Sequence, residues 1–151
     1  GQELEMKKME PPKEQKVSAG GVLYRQAQRG IEVLICGRKQ PQEWGLPKGT
    51  PNPGETMEET SRREVEEETG VKPEIEAGIG AIHYRFVRRG ASYDKTVHFY
   101  LMAPVGGSPE LHDEEFDIVQ WFPWEEACWK LSHDNEVEIV RRAVASAAER
   151  T

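Results

Sequence analysis

Gly49–Val71, GTPNPGETMEETSRREVEEETGV, is the stretch around which the rest of the chain is read. A Pro- and Gly-rich loop, Gly49–Gly54, leads into Glu55, and 14 residues without Gly or Pro then follow before Gly70. That pattern predicts a loop and a helix of about four turns, closed by a C-terminal glycine. Thr56 and Glu59, three residues apart, form a capping box that would start the helix. Projected at roughly 100° per residue, Met57, Thr60, Ser61 and Val65 share the half of the wheel that should pack. Glu64, Glu67 and Glu68 fall in that same half. Carboxylates on a packing side are costly unless something compensates them. The i, i+3, i+4 spacing gathers them on one surface, where a hard divalent cation is the natural partner. Taken alone, the arrangement is equally a solvated acidic helix.

The same stretch resembles the Nudix box position for position. Gly49 is followed by five residues and Glu55, then seven residues and Arg63-Glu64, Val65, Glu67-Glu68, Gly70 and Val71. The Trp44–Gly49 lead-in (WGLPKG) resembles that of Nudix enzymes acting on dinucleoside polyphosphates and related nucleotides, and the chain is closest to the diadenosine tetraphosphate hydrolases within this MutT-like family. The resemblance implies an α/β (α+β) fold, an α/β/α sandwich around a mixed β-sheet. It implies a Mg²⁺ cofactor, with Mn²⁺ as substitute, held chiefly by Glu67 and Glu68 together with the Gly49 carbonyl. Glu64 would be a further ligand or position the attacking water. Arg63, four residues before Glu67, would brace that carboxylate, and Glu55 would order the loop near the positive end of the helix.

The implied reaction is hydrolysis of a pyrophosphate bond in a nucleoside diphosphate linked to another group, with Arg63, Glu64, Glu67 and Glu68 as the catalytic set. A dinucleoside polyphosphate such as diadenosine tetraphosphate leads among substrates. House-cleaning of nucleoside triphosphates, ADP-ribose, RNA ends and inositol pyrophosphates are alternatives within the family. A catalytically idle, ligand-sensing domain is the alternative of a different class, but such domains commonly lose box carboxylates and none is missing here.

At 151 residues the chain is long enough for one core. The expectation is a flexible segment over residues 1–16, rich in Lys, Glu, Gln and Pro, and a single domain over 17–151. A formal charge of −7 speaks against a general nucleic-acid or anionic-membrane binder. It leaves room for a small-molecule nucleotide substrate, because bound Mg²⁺ reverses the field locally. No apolar run reaches ~18 residues and no signal-peptide core opens the sequence, so no membrane span is expected. Cys36 and Cys128 form no CxxC pattern, and two reduced thiols in a cytoplasmic protein are expected. Nothing in the pattern bears on oligomeric state.

Outside the box, Val17–Tyr24 and Ile31–Cys36 read as strands, with Gly20 and Gly21 marking a bulge or a close backbone approach. Gly37–Lys48 reads as a loop in which Arg38 and Lys48 could hold phosphates, Lys39 is surface charge and Trp44 packs. Glu74–Arg88 and Thr96–Ala103 read as strands joined by a turn over 88–95. In the second, Val97, Phe99 and Leu101 alternate with His98, Tyr100 and Met102. His83, Tyr84, Tyr93 and His98 are candidates to border a nucleotide pocket, Tyr84 among the proposed substrate contacts. Ile118–Phe122 is a further strand, a helix starts at Pro123, and Glu136–Arg150 is a helix whose Val137, Val140, Ala143, Val144 and Ala147 should pack. Two further residues come from the family resemblance. Lys95-Thr96-Val97 resembles a strand run of the animal diadenosine tetraphosphate hydrolases, making Lys95 a phosphate contact. Glu115, six residues before Trp121, would supply an extra metal carboxylate, with Glu114 as its alternative.

Overall fold

A computed structural model describes residues 14–150. Alternation along the central strands builds two cores, one on each face of the sheet. Val22 of β1 (Glu14–Ala27), Val33 and Ile35 of β2 (Gly30–Lys39), and Val97, Phe99 and Leu101 of β6 (Ala91–Gly107) are buried in one core. Their neighbours Leu23, Leu34 and Met102 are buried in the other. A strand with both faces covered needs helices on both sides, and the chain supplies them. On the Leu23 face lies α1 (Met57–Thr69), through Val65. The Val22 face takes α2 (Trp124–Lys130) and α3 (Asp134–Glu149), through Ala127, Ile139, Val140, Ala143 and Ala147. The result is the expected α/β/α sandwich.

The main sheet path is β3-β2-β1-β6-β5, where β3 is Gln42–Gly45 and β5 is Val71–Arg88. The short β4 (Lys48–Gly49) pairs with β1, and β7 (Ile118–Pro123) pairs with β2. The sheet is mixed because β1 and β6 run parallel while the other pairings are antiparallel. Among the described residues no helix is long and apolar enough to cross a membrane. Cys36 and Cys128 are free thiols.

Several expected boundaries move. The loop expected over 37–48 contains β3 and β4, both too short to show a period. The turn expected over 88–95 shrinks to Arg89-Gly90, with φ of 53° and 77°, the signature of a type I′ hairpin. Polar residues Ser92–Lys95 continue the strand because β6 pairs with β5 on one side and with Glu14–Lys16 on the other. Most of the segment expected to be flexible, residues 1–13, lies outside the described residues, whereas Glu14–Lys16 open β1. Gly20 marks a close approach, since a Cβ there would strike the Pro47 carbonyl and Lys48. The strand β1 can therefore lie directly against the segment that enters the helix.

Candidate active site

The entrance to α1 is built by two local devices. Thr56 Oγ1 accepts from the Glu59 amide at 3.1 Å while the Glu59 carboxylate accepts from the Thr56 amide at 3.1 Å, and Gly70 closes the far end at φ 75°. Between them the helix turns Thr60, Ser61, Val65 and Glu68 inward. Met57 is only half-buried, and Glu67, expected on the packing half, is exposed.

Glu64 and Glu68 face each other beneath the loop. Glu68 is 5% exposed and takes the Lys48 amide at 3.1 Å. Burial, then the hydrogen bond and negative charge of Glu64, push its carboxyl up to about 9. Glu64 in turn packs on Gly49, where any Cβ would collide with its carboxylate. The carboxylate fifteen positions later thus rests where a side chain at the box glycine would begin.

Arg63 organises the outer side. Its guanidinium donates to Glu55 at 2.7 and 3.0 Å, to Glu64 at 2.6 Å and to the Thr50 carbonyl at 2.9 Å. The expected i,i+4 contact with Glu67 is the longest of the set, at 3.3 and 3.5 Å. Arg63 thus ties the loop to Glu64 more than it braces Glu67. Glu55 also accepts from the Asn52 amide at 2.8 Å and from Thr60 Oγ1 at 2.9 Å. Its hydrogen bonds to Arg63 and Asn52 lower its carboxyl to about 2.

Across from Glu68, Lys48 Nζ meets Glu136 at 2.6 Å. Burial opposes the ammonium, but the charge and hydrogen bond of Glu136 outweigh it, and the Lys48 pKa is raised. A cavity of about 450 Å³ beside this pair is lined by Lys48, Ile82, Tyr84, His133 and Glu136. A second, of about 310 Å³, runs past Lys48 to Glu68 and is bordered by Arg38 and Glu115. A larger depression, about 770 Å³, follows the exposed side of α1 past Glu67, but neither Glu64 nor Glu68 lines it. Of the three, only the cavity of about 310 Å³ reaches Glu68, and it shares Lys48 with the Tyr84 cavity.

Sequence reasoning missed Glu136. Arg38 and Glu115, expected to serve a phosphate and a metal respectively, are engaged with each other at 2.5 Å, with Arg38 also 4.5 Å over Phe116. Glu114 is exposed. Trp44 packs edge-on against Phe122 at 5.3 Å, as expected of a packing residue. His83 turns away from Tyr84 and bonds Thr96 at 2.9 Å.

Two carboxylates held close enough to share a proton, pressed against a backbone glycine, form an all-oxygen donor set of the kind hard cations take. Among the described residues, no three His, Cys, Asp or Glu side chains stand together as a ready metal cluster. The reason is local: Arg63 holds Glu64, and Glu67 lies at the exposed edge. Glu64 and Glu68 offer oxygen donors of the type a divalent cation takes, but Arg63 would have to release Glu64 and Glu67 to swing in from α1's rim for three to meet.

The Nudix domain family model matches residues 14–143. The chain belongs to the Nudix family. A Mycobacterium tuberculosis protein named MutT4 is 40% identical over 127 residues, covering 79% of this chain and 50% of that protein. An 8-oxo-(d)GTP phosphatase of Mycolicibacterium smegmatis is 29% identical over 136 residues, covering 84% of this chain and 41% of that protein. The chain thus spans about half or less of the length of these two relatives. In fold, this Nudix domain is similar to a C. elegans Ap4A hydrolase solved as a binary complex, with a TM-score of 0.69 and 21% identity over 89% of this chain and 98% of that one.

Proposed function

We propose that this Nudix domain hydrolyses a diphosphate linkage in a nucleoside polyphosphate with the aid of Mg²⁺, Mn²⁺ substituting. The observation that carries the reading is the Glu64–Glu68 pair set against Gly49 inside an intact box. Two facing carboxylates that must share a proton are stable in that form only while no cation replaces it. When bound, a divalent cation would neutralise phosphate oxygens and lower the pKa of water.

Around that centre each residue has a separate task. Glu68 and Glu64, with the Gly49 carbonyl, would hold the cation, and Glu67 would complete the set from the rim. Arg63 fixes Glu64 and, through Thr50 and Glu55, the loop that carries Gly49. Lys48 fixes Glu68 through its amide, and its ammonium, paired with Glu136, lines the Tyr84 cavity, where substrate phosphates would lie. Lys95, opposite Tyr84 across β5 and β6, adds a second cation. Arg38 and Glu115, paired at the margin, would act there only by parting.

For the substrate, the box lead-in and the Lys95-Thr96-Val97 run support a dinucleoside polyphosphate. Likeness in sequence to a protein named as an 8-oxo-(d)GTP phosphatase supports an oxidised nucleoside triphosphate as the second reading. Incubation with Mg²⁺ and either diadenosine tetraphosphate or 8-oxo-dGTP, with products resolved by chromatography, separates them. Release of nucleotide products from one substrate, abolished by Glu68→Gln, is expected. Intact substrates throughout a panel of nucleoside diphosphate derivatives would sink the hydrolase reading.

A further inference from the structure

The β5–β6 hairpin carries a line of charge that the box does not use. On the sheet face that bears the Tyr84 cavity, alternate residues Tyr84, Phe86 and Arg88 of β5 lie opposite Lys95, Tyr93 and Ala91 of β6. Lys16 of β1 stands beside Lys95 on its other flank. Phe86 and Tyr93 stack with centroids 5.0 Å apart and planes at 19°. Lys16 Nζ lies 5.0 Å over the Tyr93 ring and the Arg88 guanidinium 5.6 Å over Phe86. The order is cation, ring, ring, cation, and Tyr84 joins it to the cavity by leaning on Phe86 at 6.2 Å.

Negative partners for these cations are scarce. Among the described residues, Lys95 and Arg88 have no carboxylate within ion-pair distance, and Lys16 has only Glu14 at 3.7 Å, both largely exposed. An exposed pair of that length contributes little. Burial, and then the like charges of Lys48, Lys16 and Arg88, lower the Lys95 pKa, so Lys95 feels the other three, of which Lys48 alone has a close carboxylate, Glu136 at 2.6 Å. In a chain of net charge −7, aligning unneutralised cations costs stability unless a ligand supplies the opposite charge. The rings do not offer a stacking platform for a base, because their outer faces are already covered by Lys16 and Arg88. They hold the two cations in place.

We propose that Lys48, Lys95, Lys16 and Arg88 form a track for phosphate groups of the substrate that lie beyond the diphosphate cut at the box. The proposal rests on the hydrolase reading and deepens it. Along β5, from Tyr84, opposite Lys95, to Arg88 the track runs four residues, roughly 13 Å at ~3.3 Å per residue. A nucleoside diphosphate whose two phosphates are engaged at the box has none left for the track. A longer chain of phosphates does reach it, whether the bridge of a dinucleoside polyphosphate or the 5′ end of an oligonucleotide.

Binding without turnover tests the track apart from the chemistry. Isothermal titration in EDTA would compare ADP, diadenosine tetraphosphate and a short 5′-triphosphorylated oligonucleotide. For wild type, at least one long probe should bind about tenfold more tightly than ADP, with affinity falling as salt rises. Which long probe gains tells dinucleoside bridge from nucleic-acid end. The double variant Lys16→Ala/Arg88→Ala should shrink that long-to-short ratio towards one. Lys16→Arg/Arg88→Lys, which keeps both charges, should restore most of it and controls for loss of folding. No preference for either long probe in wild type, or an equal ratio in wild type and the alanine variant, overturns the track. Failure of the hydrolase reading would show separately, as long-probe binding without products when Mg²⁺ is added.

Discussion

The Lys48 ammonium and the Glu136 carboxylate, 88 residues apart in sequence, meet at 2.6 Å with Glu136 only 2% exposed. The other oxygen of Glu136 takes the Leu46 amide at 2.8 Å, and the Lys48 amide donates to Glu68 at 3.1 Å. One buried carboxylate at the start of α3 therefore clamps the segment that sets both Gly49 and Glu68. It couples the back of the sandwich to the site.

Glu136→Gln keeps the shape and removes the charge, leaving Lys48 without its counter-ion. Because Lys48 retains some solvent contact, a loss at the lower end for broken buried pairs is expected, about 3 kcal/mol. Urea denaturation measures it. The double variant Glu136→Gln/Lys48→Met should be less destabilised than Glu136→Gln, since it leaves no lone charge and keeps an acceptor for the Leu46 amide. The reverse order would show that the pair stabilises the fold in its own right.

How far this was legible in the sequence differs residue by residue. The start and end of α1 were readable because caps are local: Thr56, Glu59 and Gly70 act within one turn of the ends they close. Gly49 and Glu64 were readable as a motif, though the motif says nothing of why the glycine is needed. Glu136 was missed because its partners come from another layer. A signal was present, for it precedes Ile139, Val140, Ala143 and Ala147 at helical spacing and so sits on the packed stripe of α3. A carboxylate on an apolar stripe is worth asking about wherever it falls. Arg38 and Glu115 show the opposite limit: composition gives two charges, and only the β2–β7 pairing brings the loop before β7 onto β2 and lets them cancel.

The shared proton at Glu68 predicts a pH-dependent stability in the absence of metal. Its folded pKa, about 9, lies above the ordinary 4.5, so the folded state binds the extra proton between those values. The stabilisation is complete below about pH 4.5 and is lost as pH rises through 9. Thermal melts in EDTA should therefore fall from pH 6 to pH 9 more for wild type than for Glu68→Gln, which cannot lose that proton. Mg²⁺ should raise the wild-type Tm more at pH 9 than at pH 6, because the cation replaces a proton. Parallel pH profiles for the two proteins would remove Glu68 as the source.

Glu55 has the opposite sign. Its carboxyl is lowered to about 2 by Arg63 and Asn52, so its contribution is present above the ordinary 4.5 and disappears as pH falls through 2. The Tm difference between wild type and Glu55→Gln should be visible at neutral pH and close towards zero near pH 2. A constant gap across that range would mean that the charge is not what Arg63 reads.

Glu68→Gln should also lower kcat by more than 100-fold, beyond the 10–100-fold typical for residues that merely support a metal ligand. Its fold, judged by circular dichroism and by the melts in EDTA, should be intact. Arg63→Lys, which keeps the charge but cannot serve Glu55, Glu64 and Thr50 together, should fall between wild type and Glu68→Gln in turnover. Turnover near wild type in Glu68→Gln would take Glu68 out of the centre.

Gly49→Ala tests the site through space alone. The added methyl occupies the position of the Glu64 carboxylate, the far end of a flexible side chain, which must yield and give up its 2.6 Å bond from Arg63. Glu64 must leave the pair, Glu68 loses its partner, and the Arg63 contact to Thr50 that orders the loop is strained with it. Since no charge has been changed, any loss of metal affinity comes from geometry. Mn²⁺ titration followed by electron paramagnetic resonance should show binding weakened by about tenfold or more. Adding Glu64→Ala to Gly49→Ala should cost little further, because the first substitution has already expelled that carboxylate. If the two losses instead add in full, Gly49 and Glu64 act independently and the packing of one on the other is not what the glycine is for.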